Sequence, residues 1–239
     1  MRFLCIVPIY NEERKLKNLI KKIKSSQKKI KNLSFLLINN GSSDNSLKYI
    51  RASGINFINF NKNYGVGYAL IYGLKYCIKK KYKFLIHIAG NGKMLPSEIE
   101  KFRRKILYEN YNFVNGSRFL PKGKFKTNPL SRIIMIKILS LMISILYFRK
   151  ITDATCGYRA FEVKLFQKNI KIFDKKNLYT YGYEYYSLGK VLINKKIRFT
   201  EVPVTMKYTK KNYSKIRPVI DWVPLILGWI RARIDGKKI

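Results

Sequence analysis

Short apolar runs recur through the first half of the chain, and each one stops at a polar or glycine-bearing turn. Four such runs are Arg2–Pro8, Ser34–Ile38, Asn56–Phe60 and Phe84–Ile88. Continuous apolar runs of this kind are typical of strands that are buried on both faces. The segment Asn11–Ser26 instead has its leucines and isoleucines at helical spacing, and its first residue is the predicted N-cap. The alternation predicts an α/β fold with a mostly parallel central sheet flanked by helices.

Ligands of parallel α/β sheets bind in the loops at the carboxyl ends of the strands. Here those loops are 8–12, 39–46, 62–67 and 89–94, and all four are polar or glycine-rich. The glycines of NYGVGYA do not complete a dinucleotide-binding fingerprint, so this loop alone does not identify the ligand. We therefore expect the functional site at this edge of the sheet.

Chain length and cysteine content favour one domain in a reducing compartment. The chain has 239 residues, 47% of them apolar, which is enough for one sizeable core. Its three cysteines are far apart and form no C-x-x-C pair, which indicates buried thiols. The single histidine, His87, excludes a site with several histidine ligands, and we expect it to be a satisfied histidine of the core or sheet. The N-terminus reads as a first strand and not as a signal peptide, so we expect a cytoplasmic protein.

The net charge of +37 has two readings. It predicts an anionic partner, such as nucleic acid, anionic lipid or a phosphorylated substrate, or it reflects a coding bias towards Lys, Ile, Asn, Tyr and Phe. The basic residues are spread along the whole chain, which argues against a nucleic-acid stripe. A diffuse positive field suits a membrane surface, and we expect no nucleic-acid partner.

By the sequence, no apolar run reaches the roughly 18–20 residues of a spanning helix, but two come close. Ile133–Phe148 is interrupted by Lys137 and two serines, and Val219–Ile230 carries both tryptophans ahead of the basic segment RARIDGKK. Either run is compatible with a core helix. Because Trp beside Arg and Lys is typical of interfacial anchors, we expect both runs to contact a membrane surface.

Nine segments, in order along the chain, carry a resemblance to a known family. They are IVPIYNEE (6–13), NNGSSDNS (39–46), NKNYGVGYALIYG (61–73), AGNGKMLPSEI (89–99), VNGSRF (114–119), DATCGYRAF (153–161), YGYEYYSLGK (181–190), EVPVTMKY (201–208) and YSKIRP (213–218). From about Arg2 to Arg217 the chain resembles the family 2 glycosyltransferases, and within them the polyprenyl-phosphate (dolichol-phosphate) mannosyl- and glucosyltransferase group. The resemblance implies a GT-A fold over residues 1–217. Residues 218–239 would form an amphipathic, basic segment at the membrane interface.

The resemblance implies donor-binding roles for the first loops. The turn from Pro8 to Glu12 would lie under the nucleotide, with Tyr10 near the base and Glu12 anchoring the loop. Gly65 would belong to the same donor site.

Asn39, Asn40 and Ser42 match a segment that is usually Asp-Asp-Gly-Ser and contacts base and ribose. Here both acids are amides, which still accept hydrogen bonds but offer no charge-assisted ones. The identity of the base, uracil or guanine, is therefore open.

The family's Asp-x-Asp segment falls on Ala89 and Asn91, so both acids are missing. Mg²⁺ and Mn²⁺ prefer carboxylate oxygens, and Asn91 offers one neutral oxygen, enough at most for a weakly held ion. We expect no tightly bound metal, and at most weak Mg²⁺ or Mn²⁺ that comes with the donor. Lys93 would partly replace the metal beside the donor diphosphate, although a solvated lysine is the plainer reading.

The resemblance places further charged residues around the phosphates and the acceptor. Arg118 and Arg132 match basic positions near a donor or acceptor phosphate, where a guanidinium binds phosphate bidentately. Asp153 and Arg159 would pair with each other and shape the floor of the site. Glu184 matches an acidic position that faces the acceptor.

The acceptor decides the role of the acids. A sugar hydroxyl needs a general base, for which Asp153 and Glu184 are the candidates, whereas a lipid phosphate is already ionised and needs none. The segment 213–217, with Ser214 and Lys215, resembles a basic flap over the phosphates.

The sequence therefore predicts an inverting glycosyltransferase with a UDP- or GDP-sugar as donor and, first, a polyprenyl phosphate as acceptor. We expect it to be peripheral on the cytoplasmic face of the membrane, with any membrane span either supplied by a partner subunit or unnecessary. Two alternatives stay open: a transferase that builds cell-surface glycan on a sugar hydroxyl, and a catalytically inactive relative that binds nucleotide sugar.

Overall fold

The computed structural model describes residues 1–126, 130–207, 222–236 and 239. The first half follows the predicted alternation of strands and helices. Its elements are β1 (Phe3–Ile9), α1 (Glu13–Lys29), β2 (Leu33–Asn40), α2 (Ser46–Arg51), β3 (Phe57–Phe60), α3 (Val66–Lys79), β4 (Phe84–His87) and α4 (Ile99–Leu107). The second half contains β5 (Phe113–Ser117), β6 (Lys124–Lys126), α5 (Leu130–Tyr147), β7 (Arg159–Glu162), α6 (Lys164–Gln167), α7 (Ile170–Phe173), α8 (Gly182–Ile193), β8 (Phe199–Pro203), β9 (Thr205–Lys207) and α9 (Trp222–Ile234).

Seven strands form the central sheet in the order β3-β2-β1-β4-β7-β5-β8. Among the described strands of this sheet, β7 alone runs antiparallel to its neighbours, β4 and β5, and the other pairings are parallel. β6 and β9 form a second, two-stranded parallel sheet. The predicted mostly parallel sheet flanked by helices is therefore confirmed.

Two apolar layers cover the faces of the sheet. One layer contains α1, α2 and α4, and the other contains α3, α5, α8 and α9. Because both faces are covered, the central strands are almost continuously apolar, and β1 is buried at nearly every position. The three cysteines are buried and unbonded, as expected from their spacing.

The start of α1 corrects one expectation. Asn11 was predicted to be the N-cap, but Glu12 occupies the cap position and Asn11 has a left-handed backbone, with φ of 52°. The Asn11 side chain instead accepts a hydrogen bond from the backbone N–H of Ser43, at 2.9 Å. The residue thus joins two neighbouring loops at the carboxyl edge of the sheet, a contact that no local sequence pattern specifies.

Helix α5 is longer than the apolar run read from the sequence. Of the helices in the described residues, it is the one with the length and composition of a membrane span, with 18 residues and a mean hydropathy of 1.9. The expectation that no run reaches this length is therefore wrong at α5. The helix buries one side through residues such as Ile136 and Ile143, and it exposes Ile138, Leu141 and Ile145 on the other.

Helix α9 packs against α8. Trp229, expected at a membrane interface, is 1% exposed in the core, and its backbone carbonyl accepts a hydrogen bond from the Tyr147 hydroxyl at 2.6 Å. A Cβ on Gly189 would lie 2.6 Å from the Cβ of Ala232, so glycine permits this close approach. Trp229 is therefore a core residue. The domain boundary between residues 217 and 218 stays a prediction.

Candidate active site

A cleft of about 500 Å³ opens at the carboxyl ends of β1, β2 and β4. Its other walls come from the starts of α3, α5 and α8 and from the turn before β7. The cleft is lined by most of the predicted site residues, namely Pro8, Tyr10, Glu12, Asn40, Gly65, Asn91, Lys93, Arg118, Arg132 and Glu184. Ser214 and Lys215 lie outside the residues that the structure describes.

Hydrogen bonds hold the loop 8–12 against the loop 39–46. The backbone N–H of Asn11 donates to Ser42 Oγ at 3.1 Å, and that of Glu12 donates to Ser46 Oγ at 2.9 Å. The buried Glu12 carboxylate lies 3.3 Å from the ammonium of Lys15. These contacts place Ser42 in the scaffold of the loops and keep the Tyr10 ring partly exposed at the cleft.

The two amides at the end of β2 are already bonded within the protein. Asn39 donates to Asn59 Oδ1 at 2.6 Å, and Asn40 donates to Asn63 Oδ1 at 2.9 Å. Asn40 also accepts from the backbone N–H of Tyr64, at 3.1 Å. An ionised Asp accepts but cannot donate, so amides suit this network better than acids. Asn40 lines the cleft, whereas Asn39 is buried outside its lining.

Gly65 lets the start of α3 approach the turn before α8. Its φ is 94°, and a Cβ on it would lie 2.2 Å from the backbone oxygen of Tyr179. The neighbouring Gly67 donates its N–H to Thr180 O at 2.9 Å. This glycine pair therefore closes one side of the cleft by backbone contact.

The loop after β4 folds back so that Lys93 lines the cleft. The backbone N–H of Lys93 donates to Asn91 Oδ1 at 3.1 Å, and Gly92 between them has φ of 70°. Gly90 donates to Pro8 O at 3.1 Å, which fixes the loop against β1. Lys93 itself is 8% exposed.

This loop does not fit a tightly bound divalent ion. Ala89 has no ligand atom, and the Asn91 oxygen already accepts the Lys93 N–H. Within the described residues, no group of three or more His, Cys, Asp or Glu side chains could hold a metal. Hard cations need several oxygen ligands, and carboxylates above all.

Arg118 and Asp153 form a buried bidentate ion pair. Arg118 Nε and Nη2 donate to the two carboxylate oxygens of Asp153, each at 2.6 Å, and the Arg118 backbone N–H donates to Oδ2 at 3.1 Å. Nη2 also donates to Thr155 Oγ1. The expected pairing of Asp153 with Arg159 is wrong, because the chain after β5 brings Arg118 onto the carboxylate. Arg118 lines the cleft, and Asp153 lies behind it.

Glu201 is a half-buried acid for which the sequence suggested no role. Its carboxylate accepts from the backbone N–H of Thr152 at 2.7 Å and from Asn115 Nδ2 at 3.1 Å. It thereby holds the turn that presents Asp153. Burial raises the pKa of this carboxyl, and the bonds from Thr152 and Asn115 partly oppose the rise. A signal was available, because acids are scarce in a chain with 13 Asp and Glu residues.

Glu184 reaches the cleft from the first turn of α8. A Cβ on Gly157 would lie 2.5 Å from Glu184 Oε1, so glycine leaves room for this carboxyl group. Burial raises the pKa of Glu184, and the charge of Arg159 partly opposes the rise. A carboxyl group with a raised pKa beside a reaction site is a candidate acid or base.

Arg159 and His87 lie side by side beneath the cleft. They are register partners in the antiparallel pair β4–β7, so their side chains share one face. Arg159 donates Nε to Asn115 Oδ1 at 3.2 Å and Nη1 to the backbone oxygen of Glu184. Burial, and then the charge of Arg159, lowers the pKa of His87 to about 3, so the imidazole is neutral at pH 7. The expected satisfied histidine is wrong in one respect, because His87 lines the cleft and its buried Nε2 has no hydrogen-bond partner among the described residues.

Comparison with known proteins defines the class. The solved structure of glucosyl-3-phosphoglycerate synthase from Mycobacterium tuberculosis, in complex with UDP, aligns with 97% of this chain and 80% of its own, at a TM-score of 0.71 and 14% identity. Another structure of that enzyme holds Mn²⁺ and UDP-glucose. The GT-A fold expected from the sequence is confirmed.

Residues 4–170 match the family described as glycosyl transferase family 2. The chain belongs to this family, and the protein is a glycosyltransferase. It is 27% identical over 230 residues to UDP-N-acetylglucosamine–dolichyl-phosphate N-acetylglucosaminyltransferase of Methanococcus voltae, covering 89% of this chain and 87% of that one. It is 23% identical over 248 residues to polyprenol monophosphomannose synthase of Mycolicibacterium smegmatis, covering 99% and 90%. The predicted resemblance is confirmed.

Proposed function

We propose that the protein transfers a sugar from a nucleotide-diphosphate donor to a polyprenyl phosphate at a membrane surface. The observation that carries the proposal is an apolar groove of about 640 Å³ between α5 and α9. Its lining residues are Met135, Ile138, Leu139, Met142, Ile143, Ile145, Leu146, Ile226, Trp229 and Ile230. A groove with this lining suits a hydrocarbon chain.

The groove adjoins the polar cleft. Arg132 and Ile136 of α5 line the cleft while Met135 and Ile138 line the groove, and on α9 Leu225 lines the cleft beside the groove residue Ile226. An amphiphile could therefore place its phosphate near Arg132 and its chain along α5. The names of the two relatives, each a transferase to a polyprenol or dolichyl phosphate, support the same acceptor class.

The reaction needs little proton chemistry with this acceptor. An ionised oxygen of the lipid phosphate attacks the anomeric carbon, the bond from that carbon to the diphosphate oxygen breaks, and the nucleoside diphosphate leaves with the electron pair. One displacement inverts the anomeric configuration. Three of the cations that line the cleft, Lys93, Arg118 and Arg132, would bind the two phosphate groups.

Lys93 takes the electrostatic role at the leaving diphosphate. The loop after β4 puts Lys93 in the lining of the cleft, two residues beyond Asn91, and the described residues contain no group of His, Cys, Asp or Glu side chains that could hold a metal ion. Mg²⁺ or Mn²⁺ that comes with the donor is bound weakly at most. The Mn²⁺ in the mycobacterial synthase belongs to that protein.

The exposed apolar side of α5 supports a position on the membrane surface. The cytoplasmic face, expected from the sequence, is part of this proposal, and a membrane partner subunit stays a prediction. The donor is a UDP- or GDP-sugar.

A second candidate acceptor, a sugar hydroxyl, is favoured by Glu184. This carboxyl group lines the cleft, and its raised pKa suits a general base. Glu184→Gln separates the two acceptors, because it removes the base and keeps the shape. The exposed Glu100→Gln on α4 is the matched control.

The test is transfer from a panel of UDP- and GDP-sugars to short polyprenyl phosphates and to oligosaccharides, by purified protein on anionic vesicles. We expect lipid-linked product, and Glu184→Gln should keep at least about a tenth of the turnover. Product on oligosaccharide alone, lost in Glu184→Gln, would move the hydroxyl acceptor to first place. Donor binding without any turnover would identify a non-catalytic relative.

A further inference from the structure

Three buried polar atoms without a hydrogen-bond partner among the described residues converge beneath the cleft. They are His87 Nε2, Arg159 Nη2 and Tyr183 Oη. The three residues are 3%, 2% and 0% exposed. An unsatisfied buried polar group costs about 1–3 kcal/mol. Three such groups in one place therefore indicate that a polar group of a ligand binds there.

The three atoms belong to neighbouring side chains. His87 and Arg159 are register partners on β4 and β7, and the rings of His87 and Tyr183 have centroids 6.3 Å apart. Burial lowers the pKa of His87 and raises that of Tyr183, and in both the charge of Arg159 acts to lower the pKa, which places its guanidinium near each of them. Phe161 packs edge-on against His87 at 5.1 Å and closes the apolar side.

The chemistry of the three atoms defines which polar group they can bind. Arg159 Nη2 is a charged donor, and the neutral imidazole of His87 and the hydroxyl of Tyr183 can each donate or accept. The bound group must therefore offer an acceptor oxygen, and it can also donate a hydrogen bond, as a hydroxyl group does. Within the described residues Arg159 forms no ion pair with an acid. An additional acceptor oxygen would therefore stabilise its buried guanidinium.

The position of the atoms points to the donor sugar. His87 is the last residue of β4 and lies two residues before Ala89, so the cleft floor at His87 is within about 7 Å of the loop assigned to the diphosphate. His87 lines the cleft, and Arg159 and Tyr183 lie next to it beneath the lining. The sugar is the part of a nucleotide sugar that lies next to the diphosphate.

We infer that His87, Arg159 and Tyr183 form a subsite that binds one oxygen of the donor sugar and so selects among donors. The inference rests on the proposed function. A water molecule would satisfy these groups in the free enzyme, and the sugar oxygen would replace it in the complex. Buried groups matched to one hydroxyl discriminate strongly against a sugar that lacks it.

Tyr183→Phe tests the inference, because it removes one oxygen and keeps the ring. Tyr186→Phe is the matched control on the same helix, since the Tyr186 hydroxyl bonds to Asp235 and the residue does not line the cleft. Calorimetry would give Kd for UDP, GDP and their common hexose derivatives. The ratio of Kd for the nucleoside diphosphate to Kd for the nucleotide sugar isolates the contribution of the sugar.

We expect this ratio to fall about tenfold in Tyr183→Phe and to stay unchanged in Tyr186→Phe. Deoxy-sugar nucleotides should identify the oxygen, because wild type discriminates against one of them and Tyr183→Phe does not. His87→Phe, which keeps the edge-on packing, should also lower this ratio. It replaces Tyr183→Phe as the test if that variant is unstable. An unchanged ratio in both folded variants would mean a structural water only and would overturn the inference. If wild type binds no nucleotide at all, the proposed function fails first.

Discussion

The two walls of the cleft differ in the charged side chains that they contain. The wall formed by the ends of β2 and β4, where we propose that the donor binds, is called the donor wall. It has neutral side chains at Asn40, Ala89 and Asn91, and the buried, neutral Asn39 lies behind them. Its amides bond to other amides and to backbone N–H groups. Lys93 is the basic residue that this wall adds.

The other wall, formed by the segments around β5, β7 and β8, is where we propose that the acceptor binds, and we call it the acceptor wall. It is backed by buried charged side chains. Asp153 holds Arg118 bidentately, Glu201 holds the turn before Asp153, and Arg159 lies beneath the cleft. Burying these charges is costly unless each is paired, so their arrangement requires dense hydrogen bonding.

The difference lies in where the acids are found. At Ala89 and Asn91, where the family pattern that the chain resembles has two acids, the donor wall has no carboxylate, and Lys93 adds a positive charge to the same loop. On the acceptor wall, removal of Asp153 would leave the buried guanidinium of Arg118 without its carboxylate. Replacing an acid that pairs inside the protein therefore costs more folding free energy than replacing one that would contact only a ligand.

The largest effect should come from the acceptor wall. Asp153→Ala leaves Arg118 buried without its carboxylate, and we expect the free energy of unfolding to fall by about 3–5 kcal/mol. Urea denaturation measures it. Glu100→Ala, which breaks the half-exposed pair with Arg103, should cost less than about 1 kcal/mol. Similar losses in the two variants would contradict a special role for the buried pair.

On the donor wall, Lys93→Ala should affect turnover more than folding. We expect kcat to fall on the order of 10²-fold without added metal, because the leaving diphosphate loses its cation. Steady-state transfer in EDTA measures this. Lys105→Ala, which removes a lysine paired with Glu109 outside the cleft, should leave kcat unchanged. Normal turnover of Lys93→Ala in EDTA would show that the ammonium is only solvated.

Restoring acids to the donor wall should make it bind metal. Ala89→Asp combined with Asn91→Asp supplies two carboxylates, and we expect Mn²⁺ affinity in the presence of UDP to rise at least about tenfold. Calorimetry or Mn²⁺ electron paramagnetic resonance would detect it. Asn32→Asp with Asn110→Asp changes the net charge equally at exposed sites and is the control. No gain would mean that the loop geometry, and not the ligand chemistry, excludes the ion.

At neutral pH the floor between the walls should show the smallest effect, because its contribution to stability changes only in acid. The folded pKa of His87, about 3, lies below the ordinary value near 6.5, so the unfolded chain takes up this proton first as the pH falls. The stability that the neutral ring contributes is therefore present above pH 6.5 and lost between 6.5 and 3. As the chain has one histidine, NMR should show a ring that stays neutral at pH 5 in the folded protein and titrates near 6.5 in urea. Protonation of the folded ring near pH 6.5 would place His87 in solvent.

The periodicity of the chain was sufficient to predict most of the architecture. Buried parallel strands are read from continuous apolar runs such as β1 and β4, since both faces need apolar cover. The segment order also predicted the family and the cleft edge, because loops after parallel strands meet at one edge. Ion-pair partners that are distant in sequence were harder to predict. Asp153 was assigned to Arg159, six residues away, whereas it pairs with Arg118 on another segment.

The sequence by itself determined the fold class, the family and the absence of acids at Ala89 and Asn91, because these depend on residue identity and local order. Tertiary structure alone decided that Trp229 is core, that Glu201 supports Asp153, and that His87 lies above unsatisfied polar atoms. Burial and pairing depend on which surfaces meet when distant segments pack, and no local pattern encodes that meeting.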